Sequence, residues 1–407
     1  MVVLDFGTRI SVPTECHKIR MGPPALKSFR GEDNIHKAKD KYRQQMDSFV
    51  VVAIDFGTTY SGWAFSFRHD YERDPMKVSS KYWQGENIVS QKGPTCILIK
   101  PDGKTTDSFG YDAESKYAEK AEENEQDQWF FFKRFKMMLF KDNGMERNAT
   151  LEDESGKKLP AMTVFSLSID YLKKDVLDTL GKQVTGLGVS DIHWVLTVPA
   201  IWNNAAKQFM REAAQKAGIP AKNLTICLEP EAASIYCRHL QVSKSSTVGE
   251  KPSLAQFSSG TKYLVLDAGG ATIDIAVHEV TDSGELKEIQ NASGGAWGGT
   301  RVDQAYEAFL TGIVGFTEPS VHGCAAILMV GGFSASPMLQ ENVRNKFPNL
   351  NIIVPDDAGL AVMKGAVIFG HEPTAITERV CKYTYGTDCN PSVRRRLPTS
   401  SRKSRMG

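Results

Sequence analysis

One arrangement occurs twice in this chain, and it narrows the possible folds more than any other feature. An apolar run ends in an acid, a glycine turn with hydroxyl side chains follows, and a second apolar run leads away. The first copy is Val50 to Phe56, Gly57-Thr58-Thr59-Tyr60, then Ser61 to Phe67; the second is Tyr263 to Leu266, Asp267-Ala268-Gly269-Gly270-Ala271-Thr272, then Ile273 to Val280. β-Branched and aromatic residues around a tight glycine turn read as a β-hairpin. Glycine lets backbone N–H groups approach an anion closely, and threonine adds hydroxyl donors. A strand-end carboxylate, Asp55 or Asp267, can hold hydrated magnesium beside phosphates. A single copy would be an ordinary turn, because Asp and Gly are common turn residues. Two ordered copies can grip a polyphosphate from both sides. A third glycine pair, Gly331-Gly332, follows the apolar strand Ala325 to Val330 and precedes a helix expected over Ser336 to Phe347. A nucleoside can lie against such a turn, near a positive helix N-terminus. Neither GxxxxGK[ST] nor a strand-coupled GxGxxG occurs, so the two commonest alternative phosphate devices are missing.

The 407 residues allow two to four domains. Lys plus Arg number 49 against 48 Asp plus Glu, so no bulk attraction to nucleic acid or a membrane surface is expected. Residues 391–407 are the exception, with Arg394, Arg395, Arg396, Arg402, Lys403 and Arg405 and no acid. That stretch reads as a solvated basic tail, with a localisation or anionic-surface patch as the alternative. Seven scattered cysteines without a CxxC argue against a disulfide framework and a zinc site, and fit a reducing compartment. With no signal-like N-terminus and no long apolar run, the expected location is the cytoplasm, with the nucleus as a second compartment. The expected organisation is an N-terminal arm over 1–48, a first lobe over 49–255 with a peripheral subdomain near 86–159, a second lobe over 256–356, a returning helix over 357–372 and a tail over 373–407. Helices are expected at Met162 to Gly181, at Asn203 to Gly218 with Asn203 or Asn204 as cap, from Glu229, at Val302 to Leu310, and at Leu360 to Phe369. Trp129 to Phe140, WFFFKRFKMMLF, also reads as helix. Thr95 to Lys100 and His193 to Pro199 read as strands, and 241–260 as a Ser/Gly-rich loop at the lobe boundary.

The stretches IDFGTTYSGWAF, TVPAIWNNAAKQFMREAAQKAGI, EPEAASIY, LVLDAGGATIDIAVHEV, SGGAWGGTRVD and ILMVGGFSASPMLQENV together resemble the nucleotide-binding domain of the 70 kDa heat-shock proteins. That family lies within the actin and sugar-kinase superfamily, and the likeness is to its divergent 12A and 12B branch. It covers roughly residues 49 to 385. The resemblance implies a two-lobed α/β actin-like ATPase (ribonuclease H-like) fold with a mixed sheet in each lobe, ATP or ADP and magnesium in the cleft, and slow hydrolysis of the γ-phosphate. By position, Asp55 and Asp267 would be the magnesium-shell aspartates, and Glu229 the carboxylate that orients magnesium and water, all three acting through water. Gly57, Thr58, Thr59 and Tyr60 would form the first phosphate loop, and Gly269, Gly270, Ala271 and Thr272 the second. Lys133 would steady the γ-phosphate and attacking water, and Gly331, Gly332 and Phe333 would form the adenosine loop. On the residues alone, Lys133 also reads as a snorkelling surface lysine and Glu229 as a helix-start acid. His193, His278 and the phenylalanines Phe130, Phe131, Phe132 and Phe135 read as structural.

The chain departs from that family in three places. Residues 311–324 replace a sizeable subdomain that helps to clamp the base, Ala271 stands where a third glycine is usual, and the residues after Gly370 are too few for an independent client-binding domain. The sequence thus looks like a shortened form. The leading expectation is a slow magnesium-dependent ATPase module that works through co-chaperones or signalling proteins. The alternatives are a non-catalytic regulatory protein with a vestigial nucleotide site and, more weakly, a sugar or metabolite kinase.

Overall fold

The computed structural model describes residues 48–85, 88–140, 148–240, 257–295 and 323–380. The N-terminal arm but for Ser48, most of the 241–260 loop, the Val302 to Leu310 helix, most of the 311–324 connection and residues 381–407 of the tail lie outside the described residues, whereas the start of the expected tail, 373–380, is described and carries a short strand. The chain is mixed α/β, built on two mixed sheets.

In the first sheet β1 (Val50–Phe56) and β2 (Tyr60–Phe67) form the expected antiparallel hairpin, with Asp55 opposite Gly62. β3 (Ser79–Ser80) extends it beyond β2. β12 (Ile192–Val198) lies parallel to β1, and β13 (Leu224–Leu228) parallel to β12. Peripheral strands fill the intervening sequence: β4 (Trp83–Gln84) with β5 (Val89–Ser90), β6 (Gly93–Pro94) against the start of β2, a small sheet of β7 (Cys96–Ile99), β8 (Thr106–Phe109) and β9 (Phe130–Lys133), and the pair β10 (Thr150–Glu152) and β11 (Lys158–Pro160). The second sheet repeats the first. The hairpin of β14 (Lys262–Ala268) and β15 (Ile273–Val280) is flanked by β16 (Leu286–Gly295), while β17 (Ala326–Val330) and β18 (Asn351–Ile353) add in parallel beside β14. β19 (Ile376–Glu378) closes the far edge. The central strands are buried along their whole length because both of their faces are covered.

Seven α-helices lie among the described residues: α1 (Arg68–Arg73), α2 (Tyr111–Glu122), α3 (Ala161–Gly181), α4 (Asn204–Lys216), α5 (Glu229–His239), α6 (Pro337–Lys346) and α7 (Ala361–His371). The Asn203 side chain caps α4 by accepting the Ala206 N–H at 2.9 Å. Proline opens α5 and α6, where a missing N–H costs nothing. α5 follows β13 as α7 follows β18. These two helices pack on each other between the sheets, in one core that joins Val51, Ala53 and Val195 of the first sheet to Tyr263, Val265 and Leu328 of the second. Each sheet has a separate core on its outer face.

The run Trp129 to Phe140 is not one α-helix. Phe130–Lys133 pairs antiparallel with Cys96–Ile99, Arg134 takes a left-handed φ of 52°, and a 3-10 turn spans Phe135–Phe140. The reason is that its apolar residues face two ways. Phe132 enters the main core while Phe131 packs with Cys96, Leu98 and Ala113 on the opposite side, which suits a strand covered on both faces.

Candidate functional site

The hairpins of the two sheets point their turns at each other and bound a cleft of about 630 Å³, within the range of small-ligand sites. Its walls include Asp55, Gly57, Thr58, Thr59 and Tyr60 from the first turn and Asp267, Gly269, Gly270, Ala271 and Thr272 from the second. Glu229, Gly331, Gly332 and Phe333 also line it. Every candidate residue but one is thus brought to a single place. The turns touch: a Cβ on Gly270 would fall 2.3 Å from Thr59 Oγ1, so only glycine permits that approach. Thr59 Oγ1 is buried where the turns meet and has no hydrogen-bond partner among the described residues. Gly331 has φ 84°, and a Cβ there would strike the Ala268 carbonyl oxygen at 2.4 Å. Gly332 beside it is open to the cleft, and Ala271 fits in the second turn with its side chain buried.

Lys133 is the exception. It sits at the end of β9, about half exposed, and pairs with Glu154 at 2.8 Å, outside the cleft. The left-handed residue Arg134 turns the chain, and the lysine that enters the cleft is Lys136. Its side chain is 2% exposed, and its Nζ lies 2.9 Å from Glu229 Oε1 and 5.0 Å from the centre of the Trp202 ring. Lys92 is a second cation on the cleft wall that sequence reasoning did not single out. Its Nζ lies 2.6 Å from Asp55 Oδ2, while Thr197 Oγ1 donates to Asp55 Oδ1 at 2.9 Å.

Charge at the floor is unbalanced. Asp55, Glu229 and Asp267 face Lys92 and Lys136, and Asp274, directly opposite Asp267 in the β14–β15 register, adds a fourth buried acid. Burial would raise the Asp55 carboxyl, but Lys92, Lys136 and Thr197 hold it below its ordinary value. Burial and the nearby charge of Asp55 raise Glu229 despite Lys136. Asp267, which has no ion pair among the described residues, is raised well above the carboxylate range by burial and by Glu229, Asp274 and Asp55. A divalent cation is the natural counterweight for such a floor. Among the described residues no three His, Cys, Asp or Glu side chains converge to ligate a metal directly.

Asp274 accepts from the Ile201 N–H at 3.1 Å and is pushed up to about 7 from an ordinary 3.8, by burial and then by Glu229. A carboxyl raised in the folded state stabilises fully below its unfolded value and loses that contribution as pH rises through the folded one. Asp274→Asn keeps an acceptor for Ile201 without the charge. The ligand-free variant should therefore melt several degrees above wild type at pH 8 and near it at pH 4, at about 2 to 4 °C per kcal/mol. A melting difference that does not change between those pH values would contradict this reading of the floor.

A family profile described as Hsp70 protein matches residues 123–320. Human heat shock 70 kDa protein 12B is 30% identical over 495 aligned positions, which take in 84% of this chain and 71% of that protein. Mouse heat shock 70 kDa protein 12A is 29% identical, over 94% of this chain and 78% of that protein. Since 84% of 407 residues is about 340, about 150 of the 495 positions aligned with the human protein have no residue here. No helix among the described residues is long and apolar enough to cross a membrane.

Proposed function

The chain belongs to the 70 kDa heat-shock protein family, and from that premise we propose that the cleft binds ATP or ADP with magnesium and hydrolyses the γ-phosphate slowly. The observation that carries this is the meeting of the two glycine turns, with the unpartnered Thr59 hydroxyl between them. That membership implies an actin-like ATPase fold, with the two sheets as its lobes. The second lobe is then shortened at 311–324, in keeping with the aligned positions that have no counterpart here.

The residues divide the work by chemistry. Backbone N–H groups of both turns, with the hydroxyls of Thr58, Thr59 and Thr272, receive the phosphates. Gly331, Gly332 and Phe333 border the nucleoside. Lys136, drawn from water and held by Glu229, sets a fixed positive charge where the transferred group gains negative charge. Glu229, with its raised pKa, is placed to accept a proton from attacking water. Magnesium, when bound, would neutralise phosphate charge, and Asp267 with Asp55 and Glu229 would hold it through water. On this reading the output would pass to co-chaperones or signalling proteins.

The test is direct. ADP with magnesium at about 100 times its dissociation constant should add about 2.7 kcal/mol and raise the melting midpoint by several degrees. Asp55→Asn should abolish magnesium-dependent hydrolysis, and unchanged turnover in that variant would defeat the assignment. The positions without counterpart here favour a second reading, a regulatory protein with a vestigial site. By analogy with base stacking, at about 1 to 3 kcal/mol per base, losing part of a base clamp would weaken binding by about ten to a hundredfold. Clear turnover by the purified chain rules that reading out.

A further inference from the structure

We propose that Lys92 is a tethered cation that does part of the metal's work, so that this chain holds a nucleotide's phosphates without magnesium. The inference rests on the nucleotide-binding reading above and concerns how that site is charged.

Three features show a built position rather than a chance surface contact. Lys92 precedes β6, whose Gly93 and Pro94 pair with Ser61 and Tyr60, and Thr95 just beyond ties the segment to the first turn. The Thr95 N–H donates to Thr59 O at 2.8 Å and the Thr95 hydroxyl to Gly57 O at 2.8 Å. The lysine is therefore fixed to the loop that would receive phosphate. Room for its stem comes from Gly62, where a Cβ would come 3.2 Å from Lys92 Cγ. Gly62 stands opposite Asp55 in the hairpin, so a lysine lying over it delivers its ammonium to the Asp55 carboxylate. Finally, the ammonium is largely withdrawn from solvent, with 17% of the side chain exposed, and 2.6 Å from Asp55 Oδ2.

That carboxylate is the one a hydrated divalent cation would use on this side of the cleft. An ammonium already bound there competes with the cation for Asp55. It also lines the same cleft as Thr58 and Thr59, the residues that receive the anion on the reading above. A short movement of Nζ exchanges carboxylate for phosphate, and both are charge-assisted contacts of similar strength. Lys136 also lines the cleft, but its ammonium is held by Glu229 at 2.9 Å and lies 5.0 Å from the Trp202 ring centre, so it is not the cation that contests Asp55.

The experiment is calorimetric titration of the full chain with ADP, in excess magnesium and in EDTA, for wild type, Lys92→Met and Lys92→Arg. Wild type should lose less than about tenfold in affinity on chelation. Lys92→Met should lose about a hundredfold in EDTA and at most about tenfold in magnesium, from the 1.5 to 3 kcal/mol of a hydrogen bond to a charged group. Lys92→Arg should follow wild type. Wild-type binding that disappears in EDTA overturns the inference without need of any variant. So does a Lys92→Met protein, shown to be folded by its melting transition, with the magnesium dependence of wild type. If wild type binds no ADP in either condition, the nucleotide-binding reading itself fails, and the role of Lys92 with it.

Discussion

Gly365→Ala should cost the protein a large share of its stability. Helix propensity alone argues the opposite, since alanine inside a helix is favoured over glycine by about 1 kcal/mol. The crossing of α5 and α7 decides otherwise. A Cβ on Gly365 would lie 1.7 Å from the Ala232 carbonyl oxygen and 2.4 Å from its carbon. Both atoms belong to helix backbone, so no rotamer change relieves the clash and the helices must separate. α7 rests on β1, β12 and β2, α5 on β13, β14 and β15, and the apolar core between the sheets contains both. Separation therefore opens the contact that joins the halves of the fold. Overpacking by a methyl group commonly costs about 1 to 3 kcal/mol where side chains can shift. Here they cannot, and a loss above about 3 kcal/mol is expected from a total of about 5 to 15. Gly181→Ala is the control, because it ends α3 with nothing within 4 Å of its added Cβ. Urea unfolding of the two variants beside wild type measures this, and a Gly365→Ala protein as stable as wild type would refute the packing argument.

The same crossing shows what a sequence can and cannot convey. Both hairpins, the buried strands beside them and the capped start of α4 are written locally, in apolar runs, glycine turns and Asn203. That Gly365 meets Ala232 is not, because those residues come together only when two sheets and two helices have assembled. Lys92 was silent for a like reason. It stands before Gly93 and Pro94 with no pattern around it, and its importance arises from lying across the hairpin over Gly62. Asp274 joins the acids of the floor because strand register sets it opposite Asp267. The turn Ala358–Leu360 enters the cleft wall through the Gly331 N–H, which donates to Ala358 O at 2.9 Å. The run FFFKRF reads as helix from the sequence because an all-round apolar segment satisfies either period, and its pairing with Cys96–Ile99 is a long-range choice.

Position in the resemblance points to Lys133 while the fold brings Lys136 into the cleft, and the two lysines separate cleanly in experiment. Lys136→Met should lower turnover by on the order of a hundredfold or more and reduce stability, whereas Lys133→Met should change either quantity little. Lys136 is buried against Glu229, so its removal leaves a carboxylate in a low-dielectric floor that already holds Asp55, Asp267 and Asp274. Breaking one side of a buried pair costs about 3 to 5 kcal/mol, much of it from the charge left behind. Glu229 answers by rising further in pKa, and stability is then lost chiefly as pH climbs and the unpaired carboxyl is forced to ionise. Lys133 is about half exposed, and its pair with Glu154 is screened by water, which limits its worth to about 0 to 1 kcal/mol. The double variant Lys136→Met/Glu229→Gln removes both charges and should recover much of the stability while recovering none of the turnover. Recovery of turnover in it would show that the pair serves the fold alone, and a Lys133→Met protein as inactive as Lys136→Met would return the catalytic role to the lysine on the strand.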